Sequence, residues 1–419
     1  MNNYLKTFLR GSCISLFGAI FLGILNYLIR RFLCSNLSLA NYGIFYSTFA
    51  LLGMIFGFTD LGLTQSGTVM IAAAETPLRR DAVFSHLFFI KLLLALLCGA
   101  GIFMSFHLKN EAGNLFFLIV FLVYFAVQIL NGTLQALWNG QKKYSLQQLS
   151  YSSIALLTLL MLYFSKETTL NNAVFCFFLP VVILFAAGIV YSHFSGCGTL
   201  RLRMDKEITF QLLSTGGLIA VTTTLLSVMY YMDTVMLNIL KGAESVGLYN
   251  VALPIMQIVQ AAMIFPAVFL PVAVDMSKKG EYRKLLSSVH CALIAALAAL
   301  VPVWWFFDSC SNWLIRILFK PEYTAAASSV TLLCLGLVFF TLGNFLMQIM
   351  LSLKKILPMA AIAAISAAGN FLLNYSLIRK FGTSGAAGAT LISYMIFALL
   401  TYIVLVYILK GSKKNECCQ

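Results

Sequence analysis

Long apolar stretches alternate with short polar connections along the whole chain. Twelve such stretches can be recognised, the first at 11–31 and the last at 385–409. Most of them are about 20 residues or more in length, which an α-helix needs to cross the hydrocarbon core of a bilayer. Because backbone polar groups cannot bond to lipid, such a stretch folds as a helix that satisfies them internally. The pattern therefore predicts an all-α polytopic membrane protein with about twelve transmembrane helices.

Two short patterns occur twice, in the same order, on the two halves of the chain. Residues 39–46, with the sequence LANYGIFY, correspond to residues 243–250, with the sequence AESVGLYN, 204 positions later. Each copy is a polar turn, a glycine, and an aliphatic and an aromatic residue that open a long apolar stretch. A Lys pair at 142–143 corresponds to a Lys pair at 354–355, 212 positions later. Two ordered correspondences at nearly equal spacing indicate a duplicated chain with halves of about 200 residues.

The duplication predicts an N-terminal six-helix lobe at 1–195, a cytoplasmic linker at 196–210 and a C-terminal six-helix lobe at 211–419. With six spans in each half, both halves begin on the same side of the membrane and form a parallel internal repeat. Lys and Arg are about twice as frequent on the connections that share a side with the termini, which predicts cytoplasmic termini. A substrate cleft between the lobes is the expected place for a binding site.

The composition narrows the classes of function. Hydrophobic residues make up 61% and charged residues only 10% of the chain, far below the charge content of soluble proteins. The net charge of +14 is spread over short connections, so membrane lipids with anionic headgroups are expected neighbours and nucleic acid is not. The ten cysteines include no Cys-x-x-Cys pair, and those inside the apolar stretches are interpreted as packing residues. With no phosphate-binding loop, metal-ligand spacing or nucleophile beside a base, the sequence predicts no cofactor, no metal and no catalytic residue.

Charged residues inside the apolar stretches are functional candidates, because a charge in lipid is costly. Lys91 lies about eight residues into the third stretch, and it either faces an internal cavity as a substrate-binding cation or extends to the cytoplasmic interface. Asp60, at the inner end of the second stretch, is either a helix-terminal carboxylate in contact with water or a gating or ion-coupling group. Asp233 lies among apolar and aromatic residues, so it needs a partner or a cavity and is predicted to serve gating or ion coupling.

Four further polar residues complete the candidate substrate-binding and gating site. Arg30 and Arg31 lie at the outer end of the first stretch, where they either bind substrate or flank the span at the interface. Arg30 and Asp233 occupy nearly equivalent positions in the repeat, which predicts an ion pair near the outer mouth of the cleft. Asn370 and Asn374 are four residues apart and share one helix face, so they either line the cleft or connect helices.

Three sequence patterns and one acidic residue are shared with a known group of transporters. They are ANYGIF at 40–45, TDLGL at 59–63, Asp233, and ESVGLYNVA at 244–252. On these residues the chain resembles the polysaccharide-transport branch of the multidrug/oligosaccharidyl-lipid/polysaccharide exporter superfamily, which includes the O-antigen and capsule repeat-unit flippases. The resemblance extends over essentially the whole chain, including the spans and the repeat.

The resemblance implies two six-helix lobes around a central cavity that opens alternately to the two sides of the membrane. It implies a non-enzymatic flippase of the bacterial inner membrane that translocates an undecaprenyl-pyrophosphate-linked oligosaccharide in O-antigen, lipopolysaccharide or capsule biosynthesis. A proton or sodium ion is the candidate coupling cation, and a glycan polymerase is a candidate partner. The alternative on the same fold is a cation-coupled multidrug exporter.

Overall fold

The structure, a computed structural model, describes residues 2–108, 115–165, 168–201, 205–262, 273, 276–277, 279–319 and 321–416. This part of the chain is almost entirely helical and contains no β-strand, which confirms the predicted all-α fold. The elements in chain order are α1 (Asn2–Asn36), α2 (Leu39–Asp60), α3 (Leu63–Ala72), α4 (Pro77–Leu108), α5 (Leu115–Gly140), α6 (Tyr144–Phe164), α7 (Leu170–Phe194), α8 (Lys206–Lys241), α9 (Ala243–Ala262), α10 (Tyr282–Leu318), a 3₁₀ turn (Pro321–Ala326), α11 (Ala327–Ser352) and α12 (Ile356–Glu416).

Nine helices within the described residues are long and apolar enough to cross a membrane. They are α2, α4 to α8, α10, α11 and α12. The last of these bends at Gly382, where a φ of 58° and a ψ of −127° interrupt the helix, so α12 covers the last two predicted spans. Of the remaining long helices, α1 contains the first predicted span, at 11–31, and α9 covers the first part of the eighth, predicted at 246–273, whose residues 263–272 lie outside the described part of the chain. The described helices therefore have the predicted polytopic architecture.

Helix boundaries follow the predicted repeat. α5 and α11 are both 26 residues long, and their first and last residues are separated by the same 212 positions. α6 and α12 also begin 212 positions apart, and α2 and α9 begin 204 positions apart. The two copies of each sequence pattern occupy equivalent places in the fold, which confirms the parallel internal repeat.

The turns that hold the two Lys pairs have the same backbone geometry. Lys142 and Lys354 both adopt the left-handed conformation, with φ of 60° and 56°. In the first turn the amides of Lys142 and Lys143 donate to the carbonyl oxygens of Asn139 and Trp138 at 2.9 and 2.8 Å. The residues 212 positions later donate in the same way, at 2.9 and 3.0 Å. These bonds satisfy carbonyl groups at a helix end, so each Lys pair ends one helix and begins the next.

The helices form two compact units. One consists of Met1–Leu37 and Leu52–Thr224, and the other of Ser38–Leu51 and Leu225–Gln419. Two helices, α2 and α8, contribute residues to both units. The lobe boundaries derived from the sequence describe the repeat, and they stay a prediction.

Each unit has its own apolar core. In the first unit, α3, α4 and α5 bury a cluster that includes Ile71, Phe84 and Trp138. In the second unit, α11 and the later half of α12 bury a cluster that includes Leu346 and Phe397. Packing of this kind fixes the polar side chains that the same helices carry.

Candidate functional site

The sequence TDLGL at 59–63 forms a tight turn between α2 and α3. Asp60 ends α2, and Leu61 and Gly62 adopt the left-handed conformation with φ of 47° and 67°. A Cβ atom on Gly62 would lie 2.6 Å from a backbone carbonyl oxygen of α8, so glycine is required here. The Asp60 carboxylate accepts a hydrogen bond from the Thr64 amide at 3.4 Å and from the Thr64 hydroxyl at 2.5 Å. The turn thus fixes the position of the Asp60 carboxylate at the start of α3.

The Lys91 side chain reaches this carboxylate from α4. Its ammonium group lies 2.5 Å from Asp60 Oδ1 and 2.6 Å from Thr64 Oγ1. The Lys91 side chain is fully buried, whereas the Asp60 side chain is 18% exposed. The structure therefore joins Lys91, the predicted substrate-binding residue, and Asp60, a predicted gating residue, in one ion pair. The sequence did not reveal this contact.

Gly132 of α5 lies against this ion pair. A Cβ atom on Gly132 would overlap the Lys91 ammonium group and would lie 2.8 Å from Thr64 Oγ1. A buried charge pair is stable only when its hydrogen-bonding groups are satisfied. The Thr64 hydroxyl meets this condition because it donates to Asp60 and accepts from Lys91. The cluster has room for these three side chains only because α5 carries a glycine.

A second buried carboxylate lies in the other unit. Asp233 of α8 is 4% exposed. Its Oδ2 atom accepts hydrogen bonds from the Tyr249 hydroxyl of α9 at 2.5 Å and from the Thr390 hydroxyl of α12 at 2.8 Å. The other oxygen, Oδ1, has no hydrogen-bond partner among the residues that the structure describes. Because such an oxygen is costly to bury, Asp233 has the chemistry of a cation ligand or a proton acceptor.

Of the two predicted asparagines, Asn370 connects the two halves of α12 and Asn374 bonds to Asn370 within the first half. Asn370 donates to the Ser393 hydroxyl at 3.2 Å, and Asn374 donates to the Asn370 side-chain oxygen at 3.0 Å. Both asparagines are fully buried, and Asn374 Oδ1 has no partner within the described part of the chain. The Asn370 bond is of the helix-connecting kind, whereas the Asn374 bond lies within one helix segment, and a contact of either residue with substrate stays a prediction.

Arg30 and Arg31 lie near the end of α1. Arg30 is partly buried and Arg31 is exposed. The ends of α1 and α8 correspond in the repeat, and Arg30 and Asp233 both lie in the last three turns of their helices. They belong to different units, and their ion pair stays a prediction.

A polar cluster that the sequence did not reveal attaches the connection after α7 to α4. The Arg80 guanidinium donates to the Gly196 carbonyl oxygen at 2.8 Å, and the Thr199 hydroxyl donates to Asp81 Oδ2 at 2.5 Å. The Arg201 guanidinium lies 3.4 Å from the same Asp81 oxygen. Arg80 and Arg201 contributed to the charge count of the cytoplasmic connections, but nothing in their spacing indicated a shared partner. The start of the predicted linker is therefore held within the first unit.

Cys197 lies in the same connection and is buried. Its thiol accepts hydrogen bonds from the Lys143 ammonium at 2.6 Å and from the Ser195 hydroxyl at 2.9 Å. Burial raises the pKa of the Cys197 thiol. The hydrogen bonds from Lys143 and Ser195, together with the positive charge of Lys143, outweigh the effect of burial and lower the pKa below its ordinary value. The turn between α5 and α6 thus adds a charged contact to this connection.

Comparison with protein families identifies the chain. Residues 8–277, more than half of the chain, match the family described as polysaccharide biosynthesis protein. The chain belongs to this family. The chain is also 24% identical over 396 residues to an uncharacterised membrane protein of Methanocaldococcus jannaschii, with 88% of this chain and 78% of that protein covered.

Several solved transporter structures share the fold of this chain. An inward-facing multidrug resistance MATE family transporter of the MOP superfamily gives a TM-score of 0.72 at 15% identity, over 94% of this chain and 96% of that one. A MOP superfamily transporter from Pyrococcus furiosus gives a TM-score of 0.70 at 14% identity, over 97% and 96%. A MATE transporter of Vibrio cholerae gives 0.67 at 12% identity, over 97% of each chain. These likenesses show the fold.

The chain is a multi-pass membrane protein that shares its fold with solved transporters. The family match and the shared fold confirm the resemblance that the sequence patterns indicated.

Proposed function

We propose that the protein is a flippase that translocates an undecaprenyl-pyrophosphate-linked oligosaccharide repeat unit of the O-antigen or capsule type by alternating access. The observation that carries this proposal is the match of residues 8–277 to a polysaccharide biosynthesis family on a transporter fold. The protein then lies in the bacterial inner membrane with both termini in the cytoplasm. A glycan polymerase that uses the delivered repeat unit is the expected partner.

The chemistry of the cargo agrees with the composition of the chain. A pyrophosphate and a sugar chain cannot cross hydrocarbon unaided, whereas the polyprenyl tail can stay in the bilayer. A protein that moves such a molecule needs cations for the phosphates and polar groups for the sugars. Lys91, Arg30 and Arg31 supply the cations in this proposal, and Asn370 and Asn374 supply amide groups.

Lys91 exchanges its partner during the transport cycle that we propose. Without cargo, its ammonium group is held by Asp60 and Thr64. A pyrophosphate carries negative charge and several acceptor oxygens, so it can replace the Asp60 carboxylate as the partner of a cation. Asp60 is the partly exposed member of the pair and can turn toward water when it is displaced. In this scheme Lys91 binds the cargo, and Asp60 controls when it does so.

Asp233 carries the coupling cation in the same proposal. Its Oδ1 atom and Asn374 Oδ1 are buried oxygens without hydrogen-bond partners among the described residues. Oxygen atoms of this kind are suitable ligands for a sodium ion, and a carboxylate oxygen can alternatively take a proton. Both atoms belong to the second unit, whereas the Lys91–Asp60 ion pair belongs to the first unit.

Lipid extracts from a strain that lacks the gene test the flippase. We expect the lipid-linked oligosaccharide to accumulate and surface glycan to be lost, because the cargo cannot cross the membrane. Mass spectrometry of the lipid intermediates measures the accumulation. An unchanged lipid profile together with intact surface glycan would overturn the proposal.

A cation-coupled multidrug exporter on the same fold is the second candidate function. It is favoured by the solved structures of multidrug resistance transporters and by the buried carboxylate of Asp233. Loss of drug resistance without a change of surface glycan in the same deletion strain would establish it.

Cysteine labelling tests the orientation of the chain. Cysteines that replace Lys142, Lys279 or Lys354 should react with a membrane-impermeant reagent only from the cytoplasmic side, because the basic connections are retained there. A cysteine that replaces Lys241 should react from the outside. Labelling in the opposite sense would exclude cytoplasmic termini.

A charge exchange tests the predicted pair of Arg30 and Asp233. Asp233→Asn should transport poorly, because a contact present in only one state of the cycle is then lost and the balance of states shifts. Arg30→Asp combined with Asp233→Arg should transport better than either single change, in an assay of surface glycan at equal protein abundance. A double variant no better than the worse single variant would show that the two residues do not pair, or that Asp233 has a separate role in ion coupling that the exchanged charges cannot replace.

A further inference from the structure

The later part of α10 lines an open cavity in the second unit. The cavity has a volume of about 630 Å³ and is lined by Ser309, Asn312, Trp313, Arg316, Thr324 and Ala325. The first four residues lie at positions i, i+3, i+4 and i+7 and therefore share one face of α10. The other two belong to the 3₁₀ turn that follows the helix. With cytoplasmic termini, this end of α10 faces the outside of the cell.

The opposite face of α10 holds this lining in place. Phe307, Ser311 and Ile315 follow one another at four-residue spacing and are buried in the unit. The lining face is exposed, and the Trp313 side chain remains 62% exposed. Packing on one face of α10 therefore presents an indole, an amide, a hydroxyl and a guanidinium group together on the opposite face.

This set of side chains matches the surface of a sugar. The negative face of an indole attracts the partly positive C–H bonds of a pyranose ring. The Asn312 amide and the Ser309 hydroxyl can both donate to and accept from sugar hydroxyl groups. The Thr324 hydroxyl donates to the Pro321 carbonyl oxygen at 2.9 Å, which leaves its own oxygen available to accept. The Arg316 guanidinium forms paired hydrogen bonds with a carboxylate or a phosphate.

We infer that this cavity is a binding site for a short acidic oligosaccharide. Its volume lies within the range of pockets that hold small ligands, about 300–1,000 Å³. The inference rests on the proposed function, since it places a glycan subsite on the side to which the repeat unit is delivered. An interfacial tryptophan that only anchors the helix in lipid would not need the amide, hydroxyl and guanidinium groups around it.

Two soluble tetrasaccharides test this site on the purified full-length protein in nanodiscs. The acidic probe is a hyaluronan tetrasaccharide, and the neutral probe is chitotetraose. We expect saturation-transfer NMR to detect binding of the acidic probe to the wild-type protein and to detect no binding to the Trp313→Ala variant. Arg316→Gln should weaken binding of the acidic probe by about tenfold and leave binding of the neutral probe unchanged, because only the acidic probe has a carboxylate that can pair with Arg316. Trp305→Ala is the matched control, since Trp305 is 66% exposed on the same helix but does not line the cavity.

The outcomes separate this site from the flippase itself. Binding that is absent in the wild type, or equal in Trp313→Ala and the wild type, overturns the site. If the acidic probe is displaced when the protein's nanodiscs contain phosphatidylglycerol, but not when they contain only neutral lipid, the oligosaccharide site is also overturned. The cavity is then assigned to lipid headgroups. Because the probes carry no lipid tail and need no transport, Trp313-dependent binding would stand even if the deletion strain accumulated no lipid intermediate.

Discussion

Replacement of Asp60 by alanine is expected to lower the free energy of unfolding by about 3–5 kcal/mol, because it leaves a buried ammonium group without its counter-charge. Lys91 is fully buried and makes its two polar contacts to Asp60 and Thr64. Lys91→Met should cost less, about 1–2 kcal/mol, because Asp60 would keep its bonds from Thr64 and its contact with water. Reversible unfolding in mixed detergent micelles measures both values.

The double variant Asp60→Ala/Lys91→Met is the control for this asymmetry. With both charges removed, the site holds apolar side chains, and most of the stability lost in Asp60→Ala should return. Equal losses for the two single variants would contradict the expected asymmetry, and no recovery in the double variant would show that the ion pair does not stabilise the first unit.

The same variants separate stability from transport. If Lys91 binds the pyrophosphate, Asp60→Ala/Lys91→Met should be abundant in the membrane and should still fail to export glycan. Lys91→Arg should keep part of the activity, because either cation can meet a phosphate. Normal surface glycan in the double variant would limit Lys91 to a structural role.

The repeat was accessible from the sequence because short-range signals specify it. The Lys pairs at 142–143 and 354–355 mark turns whose hydrogen bonds join residues at most five positions apart, so local sequence sets where the helices end. The same reasoning located α2 and α9 through their shared opening pattern. Span number, fold class and repeat therefore followed from hydrophobic pattern and turn chemistry.

The partners of the buried charges were not accessible in the same way. Lys91 and Asp60 are separated by 31 positions, and Asp233 and Thr390 by 157. A hydrophobic pattern shows that each charge is costly, but it does not show which helix packs beside it. The sequence therefore identified Lys91, Asp60 and Asp233 as candidates and left their contacts to be found in the packed structure.

The two copies of the first repeated pattern also contact each other, and this contact leads to the second large expected effect. Gly43 of α2 and Gly247 of α9 are 204 positions apart and belong to the same unit. A Cβ atom on Gly43 would overlap the Ala243 carbonyl oxygen, and a Cβ atom on Gly247 would lie 2.7 Å from the Leu39 carbonyl oxygen. Since Leu39 and Ala243 are themselves 204 positions apart, each glycine packs on the first residue of the other helix.

Gly43→Ala is therefore expected to destabilise the protein by about 1–3 kcal/mol, because a backbone carbonyl cannot move aside as a flexible side chain can. Gly247→Ala should cost less, since its new Cβ would meet the neighbouring backbone at a longer distance. Gly388→Ala is the matched control in the same unit, because a Cβ there would meet no atom within 4 Å, and its stability should be unchanged or slightly higher. In mixed detergent micelles, the free energy of unfolding should be lowest for Gly43→Ala, higher for Gly247→Ala and highest for Gly388→Ala. If Gly43→Ala were as stable as Gly388→Ala, the close approach of α2 and α9 would not require these glycines, and their recurrence in the two halves would need a different explanation.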